Sequence, residues 1–193
     1  MHTDEQLVQA YLNGDAEAFS LLVERYTNHI YNFVRRFITQ KNDAEDITQE
    51  VFVKVWKHLP SFNTTKSFKV WLFTIAKNAS FDYARRKYET VFSDIEDVHD
   101  EHWVEESIED VASLPTTLFE KKEVSEFISR ALQTLLIHER TVLLLHYENE
   151  LTFEEIAEIL KKPMNSVKST HFRAIKKLQS SLVHQNNNEK RIK

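Results

Sequence analysis

The sequence predicts an all-α protein of two small helical domains joined by an acidic linker, with a helix-turn-helix in the C-terminal domain. Three observations carry this. The 193-residue chain has one Gly and three Pro, which removes most of the turn chemistry that β-hairpins need. Apolar residues recur at spacings of three and four through two long blocks, which aligns them on one face of a helix. Between the blocks, from 88 to 120, stand eleven Asp/Glu and no Lys or Arg. The net charge is −5, yet outside that window 19 acidic residues face 25 basic ones, so the blocks themselves are mildly basic. Hydrophobic residues make up 41% of the chain, enough for real cores.

The first domain spans 1–90. Leu7, Ala10 and Tyr11, then Phe19, Leu22, Val23 and Tyr26, keep helical spacing, and Asn13, Gly14 and Asp15 between them read as a turn and cap. His29 to Ile38 continues apolar and aromatic. Asn42 and Asp43 read as the cap of a helix that runs to Leu59, where Pro60 ends it and 61–65 form a loop. The helix over 43–59 turns Ile47, Val51, Phe52, Val55, Trp56 and Leu59 to one side, and Asp46, Gln49, Glu50 and Lys57 to the other. A helix over 67–87 carries Phe68, Trp71, Leu72, Ile75, Ala79 and Tyr83 inward. Phe73 and Phe81 lie off that stripe near Lys69 and Lys77. Two readings stay open for them: packing on a neighbouring helix, or stacking on unpaired bases beside neutralised phosphates.

Over 91–117 no periodic stripe exceeds two turns, and the segment reads as an acidic linker with a short helix around 103–111. The second domain spans 118–183, with helices near 119–135, 138–149, 152–161 and 166–182, and 184–193 form a polar tail. In 151–178 two short amphipathic segments flank a tight break. The first lines up Phe153, Ile156, Ala157 and Leu160, and Thr152 with Glu155 forms a capping box. Pro163 forbids continuation, and Asn165 and Ser166 read as the cap of the second helix. That helix carries Val167, Ala174, Ile175, Leu178 and Leu182 inside, and Lys168, Ser169, Phe172, Arg173, Lys176 and Lys177 outside. A short acidic helix, a turn and a basic helix make a helix-turn-helix, whose second helix enters the DNA major groove. Its positive end also favours phosphate.

There is no Cys, which excludes disulfides and thiolate chemistry and fits a reducing cytosol. The start of the chain has no basic stretch followed by an apolar one, and no run approaches a membrane span, so a cytoplasmic protein is expected. No HExxH, Gly-rich phosphate loop or nucleophile elbow is present. Neither an enzyme nor a cofactor is expected, and no metal site, although His99 and His102 beside Asp100 and Glu101 could form a weak metal patch. The residues alone leave one rival, a two-domain helix-turn-helix regulator that binds intact duplex without a polymerase.

Together these features resemble a bacterial RNA polymerase sigma factor of the extracytoplasmic function (ECF) group of the sigma-70 family. DAEDITQEVFVKVWKHLPSF (43–62) resembles the family's core-polymerase-binding helix, and FKVWLFTIAKNASFDYARRK (68–87) its −10 and promoter-melting element. ERTVLLLHYENELTFEEIAEILKKPMNSVKSTHFRAIKKL (139–178) resembles its −35-reading domain. The resemblance implies that Gln49 and Glu50 are the centre of a docking face for core RNA polymerase, with Asp43 and Asp46 at its rim. It implies that Phe62, Asn63, Thr64, Lys66 and Asn78 hold a flipped −10 base. Lys69, Phe73, Lys77 and Phe81 would attend the melted strand, and Arg85 and Arg86 its backbone. It assigns −35 DNA to Asn165, Ser166, Lys168, Ser169, Phe172, Arg173 and Lys176. The partners it implies are core RNA polymerase, promoter DNA and an anti-sigma factor linked to the membrane. The chain would be a monomer when free and would not insert into the membrane itself.

The chain departs from the family pattern at Leu136, where Pro is usual, and at Lys161, where Gly is common. It departs again at Asn165 and Ser166, in place of Gly-Thr, and at His171, in place of Leu. If the turn needs a positive φ at Lys161, a non-glycine residue there costs about 1 kcal/mol or more. Either the turn is built differently or the cost is absorbed. His171 reads as a partly buried, satisfied histidine, with pH sensing as the other possibility.

Overall fold

The protein, described here by a computed structural model that covers residues 2–91, 132 and 134–189, is built from helices joined by short turns, with no strand among the described residues. It divides into two compact units. The acidic linker, the short helix around 103–111, the His99/His102 patch and the helix near 119–135 lie outside the described residues, apart from Leu132 and the last two positions of that helix.

In the N-terminal unit, α1 (Asp4–Leu12) opens with a reciprocal cap. The Gln6 amide donates to Thr3 Oγ1 at 3.2 Å, and the Thr3 amide donates to Gln6 Oε1 at 2.9 Å. Gly14 turns the chain at φ +103°, a conformation that suits glycine. Asp15 then caps α2 (Ala16–Arg35) by accepting the Glu17 amide at 3.0 Å. The turn and cap expected there are present.

The start of α3 (Lys41–His58) differs from expectation. The helix begins at Lys41 after an extended Gln40 with no side-chain cap, so Asn42 and Asp43 lie inside its first turn. The Asp43 carboxylate accepts the Tyr83 hydroxyl instead, because a phenol drawn into the fold needs an acceptor. Burial and this hydrogen bond push the Tyr83 hydroxyl up to about 12. A 3-10 turn (Leu59–Ser61) carrying Pro60 follows, and then α4 (Phe68–Val91).

Helix α4 packs against α1, α2 and α3. Its buried arc, which includes Phe68, Val70, Leu72, Phe73, Ala76 and Ala79, is therefore wider than one stripe. Phe73 is fully buried and meets Phe33 edge-to-face at 5.5 Å. The same contacts leave Trp71 and Ile75, expected inward, only half-buried.

In the C-terminal unit, α5 (Ile137–Leu143) widens into a π-helical turn (Leu144–Glu148). Asn149 closes that turn by donating from both its backbone and side-chain nitrogens to the Leu144 carbonyl. Glu150 follows at φ +54°, a strained position that the periodicity gave no sign of. Helix α6 (Phe153–Leu160) has the expected capping box. The Thr152 amide donates to Glu155 Oε2 at 2.8 Å, and the Glu155 amide donates to Thr152 Oγ1 at 3.3 Å.

At the end of α6, Lys161 is left-handed at φ +51°, and the Lys162 amide donates to the Ala157 carbonyl at 3.1 Å, the closure usually made with glycine. The turn is thus built in the usual way, and the lysine's strain is absorbed. Helix α7 (Met164–Glu189) starts earlier than expected. The Pro163 carbonyl accepts the Ser166 and Val167 amides at 2.9 and 3.2 Å. Asn165 and Ser166 therefore stand in the first turn rather than at the cap, since proline, with no N–H to leave unpaired, suits the mouth of a helix. Leu135, Leu143 and Ala174, with Leu132, Ile175 and Leu178 against them, join α5 to α7.

Candidate nucleic-acid interface

The exposed side of α7 gathers Asn165, Ser166, Lys168, Ser169, Phe172, Arg173 and Lys176. Phe172 is 69% exposed, far more than an aromatic ring retains when packing is its role. Arg173 donates to Thr170 Oγ1 at 3.3 Å, which steadies the guanidinium at the helix surface. Asn165, Ser166, Ser169, Thr170 and Arg173 line an open groove of about 420 Å³, closed by His138 of α5 and by Lys162. No spacing along the chain signals His138, because its part in the groove depends on how α5 crosses α7.

Lys177, expected outside, reaches back to the buried Glu139 at 2.8 Å. Glu139 also accepts the Leu136 amide at 3.2 Å, and Arg140 Nε donates to the Leu132 carbonyl at 3.1 Å. A buried carboxylate needs such partners. This pair ties α7 to α5 at a point where periodicity shows only a charged stripe.

His171 is half-buried against the π-turn. Its ring meets His146 edge-on at 5.4 Å and Phe153 at 5.1 Å, and its Nε2 hydrogen-bonds the Tyr147 hydroxyl at 3.0 Å. His146 stacks on Phe153 and places Nδ1 2.8 Å from the Leu151 carbonyl, which calls for a proton on that nitrogen. Burial first, then the electrostatic influence of the neighbouring His146 ring, hold His171 below the ordinary histidine range. The unfolded chain therefore takes up a proton here before the folded one does. The stability this group confers is complete above the unfolded value of about 6.5 and is lost as the pH falls through the lower folded value. Thermal melts between pH 7.5 and 5 are expected to show the melting temperature falling with pH, and His171→Leu to flatten the slope. An equal slope in the variant would refute the assignment.

In the N-terminal unit, residues 62–67 lead into α4. The Asn63 side-chain oxygen accepts from the Thr65 amide at 3.0 Å and the Thr65 hydroxyl at 2.8 Å, and the Lys66 amide closes on the Asn63 carbonyl. Phe62 leans on Trp71 at 4.8 Å and meets Phe68 edge-on at 6.0 Å. Thr64 is half-buried, and Asn63 and Lys66 are exposed. On α4, Asn78, Arg85 and Arg86 are exposed, and Arg85 pairs with Asp82 at 3.3 Å.

Of the two aromatics set beside lysines, Phe81 keeps a partly open face, with Lys77 over its ring at 5.6 Å and Phe37 at its edge. Phe73 does not. It belongs to the core, and its assignment to DNA is corrected on that ground. Lys69 is half-buried along the same helix.

On α3, Asp46 and Gln49 are exposed, while Glu50 is half-buried in a 2.7 Å pair with Lys54. Trp56, expected inside, is 52% exposed, and Val53 is 48% exposed. A stripe that repeats every four residues drifts by about 40° per step, and Trp56 has drifted round to the side of Gln49. The buried positions are Ala44, Ile47, Thr48, Val51 and Val55.

Two family models match the chain: sigma-70 region 2 over residues 22–90 and sigma-70 region 4 over residues 127–178. With the all-helical fold they define a sigma-70-type transcription factor. The ECF RNA polymerase sigma-E factor of Escherichia coli strain K12 is 31% identical over 173 residues, covering 89% of this chain and 90% of that protein. The ECF RNA polymerase sigma factor SigW of Bacillus subtilis strain 168 is 33% identical over 170 residues, covering 88% and 91%. Among solved structures, the sigma factor RpoE of Bartonella quintana, in complex with the anti-sigma factor NepR, is 26% identical with a TM-score of 0.68. It covers 86% of this chain and is itself covered to 98%. CnrH, solved with the cytosolic domain of CnrY, has the same TM-score at 22% identity, covers 94% of this chain and is itself covered to 97%, and shows the shared fold. The chain belongs to the ECF group of RNA polymerase sigma factors. Its function is promoter-specific initiation of transcription. No helix among the described residues is long and apolar enough to cross a membrane.

Proposed function

We propose that the chain performs this function in the cytoplasm, without chemistry of its own, through three surfaces. The exposed face of α3, centred on Gln49 and Glu50 with Asp43 and Asp46 at its rim, docks on core RNA polymerase, and Val53 and Trp56 add an apolar anchor. Residues 62–66 with Asn78, Phe81, Arg85 and Arg86 take the −10 strand. The outer face of α7 reads the −35 element.

One observation carries the reading. On α7, Lys168, Ser169, Phe172, Arg173 and Lys176 share one exposed side beside a polar groove, while Val167 and Ala174 are buried. A helix held by its inner face and offering donors outward suits the major groove. The RpoE of Bartonella quintana was solved with an anti-sigma factor, and a partner of that kind is proposed here, covering surfaces that otherwise meet polymerase and DNA.

Arg173→Ala is the test of the −35 surface. The loss expected is roughly 1–3 kcal/mol of promoter affinity, with relaxed preference at one base pair. Binding assays over a panel of −35 substitutions separate this from a phosphate contact, which would weaken all sequences alike. Wild-type affinity on every sequence would remove α7 as the reader.

A further inference from the structure

The first turn of α1 carries two adjacent carboxylates, and both leave their own helix. Asp4 accepts from Arg25 and from the Tyr26 hydroxyl on α2. Glu5 reaches α4, where its Oε1 accepts the backbone N–H of Phe68 at 3.2 Å, in a partly buried setting. The first N–H groups of a helix have no partner within it. At α4, Ser67 Oγ accepts from Val70, and Glu5 supplies the acceptor for Phe68 from 63 residues away in the chain. A carboxylate there also complements the positive end of the helix.

Phe68 is a junction. Its ring is fully buried and contacts Tyr26 at 5.9 Å, Phe62 at 6.0 Å and Trp71 at 5.9 Å. Phe62 is the first residue of the 62–66 loop, and Ser67 is the last before α4. The Asp4–Glu5 pair therefore holds both the backbone on which the loop ends and, through Tyr26 and Phe68, the ring on which Phe62 rests.

We propose that Glu5 is a positioning residue for the loop that takes the −10 strand. It touches no DNA itself. It fixes where α4 begins, and so sets the loop before any base arrives, and preorganisation of that kind strengthens binding. This inference rests on the assignment of 62–66 to the −10 strand.

The experiment uses the full chain and a fluorescent single-stranded DNA copied from the −10 region of a promoter that the holoenzyme opens. Three substitutions are compared. Glu5→Ala removes the acceptor, Glu5→Asp keeps the charge but is one methylene short, and Glu5→Gln keeps an acceptor oxygen at the same reach. Glu5→Ala and Glu5→Asp are expected to lose single-strand affinity on the order of tenfold, about the worth of one charge-assisted hydrogen bond. Glu5→Gln is expected to stay within about threefold of wild type, since it forfeits the charge but not the bond. Binding of −35 duplex is expected to be unchanged in all three. Amide exchange at Phe68 should quicken in the Ala and Asp variants only, and by more than at the amides of α2 and α3, a comparison that separates the local contact from the stability of the whole domain.

Wild-type single-strand affinity in Glu5→Asp, or equal loss on duplex and single strand, would overturn the proposal. Phe62→Ala and Asn63→Ala serve as controls for the loop. If they bind the strand as wild type does, the loop assignment falls and the inference with it. If they lose affinity while Glu5→Ala does not, the inference alone falls.

Discussion

Glu50→Lys combined with Gln49→Ala is expected to abolish binding to core RNA polymerase while the fold survives. Gln49 is exposed, and Glu50 is half-buried with its carboxylate paired with Lys54 one helical turn away. Such a surface pair contributes about 0.3–0.5 kcal/mol. No core contact is lost, because α3 is buried through Ile47, Thr48, Val51 and Val55 instead. The change in stability should therefore stay within about 1 kcal/mol. At a docked surface the reversal places a lysine where a carboxylate was read, and like-charge juxtaposition at an interface costs several kcal/mol. A pull-down with core polymerase, alongside a thermal melt of the free variant, checks both halves. Retained affinity for core would show that α3 docks elsewhere or not at all.

Phe73→Ala is expected to destabilise the N-terminal unit by about 3–5 kcal/mol, the usual cost of truncating a fully buried phenylalanine. Phe73 has no exposed surface and sits edge-to-face on Phe33, itself against Phe37 at 5.0 Å. Urea unfolding measures the loss. Phe81→Ala gives the contrast, because its ring is only partly covered by Phe37 and Lys77. It should cost less stability and weaken single-strand binding. Were Phe73→Ala to weaken strand binding at unchanged stability, the ring would be a stacking platform after all and its place in the core would be wrong.

The sequence by itself determined most of the described helices and part of their punctuation. The Thr152/Glu155 box, the turn at 13–15, the stop at Pro60 and the outward face of α7 rest on neighbours three or four residues away, and such local relations survive into any tertiary arrangement. The question of a left-handed residue at Lys161 came from the family resemblance alone, and only the structure decided that the turn keeps that conformation with lysine in it.

Tertiary structure decided which helix faces are covered, because that depends on how many partners surround a helix rather than on its own period. Helix α4 packs against three others, so its buried arc took in Phe73 and left Trp71 half-open. Helix α3 turned Trp56 out to the side of Gln49. Tertiary structure also decided which charges are committed. Glu139 is drawn inside and claims Lys177, Asp43 accepts from Tyr83, and Glu5 caps a helix 63 residues away. Each of these joins groups far apart in the chain. A buried or half-buried carboxylate must find a donor wherever the fold brings one, and no spacing along a single helix can foretell which residue that will be.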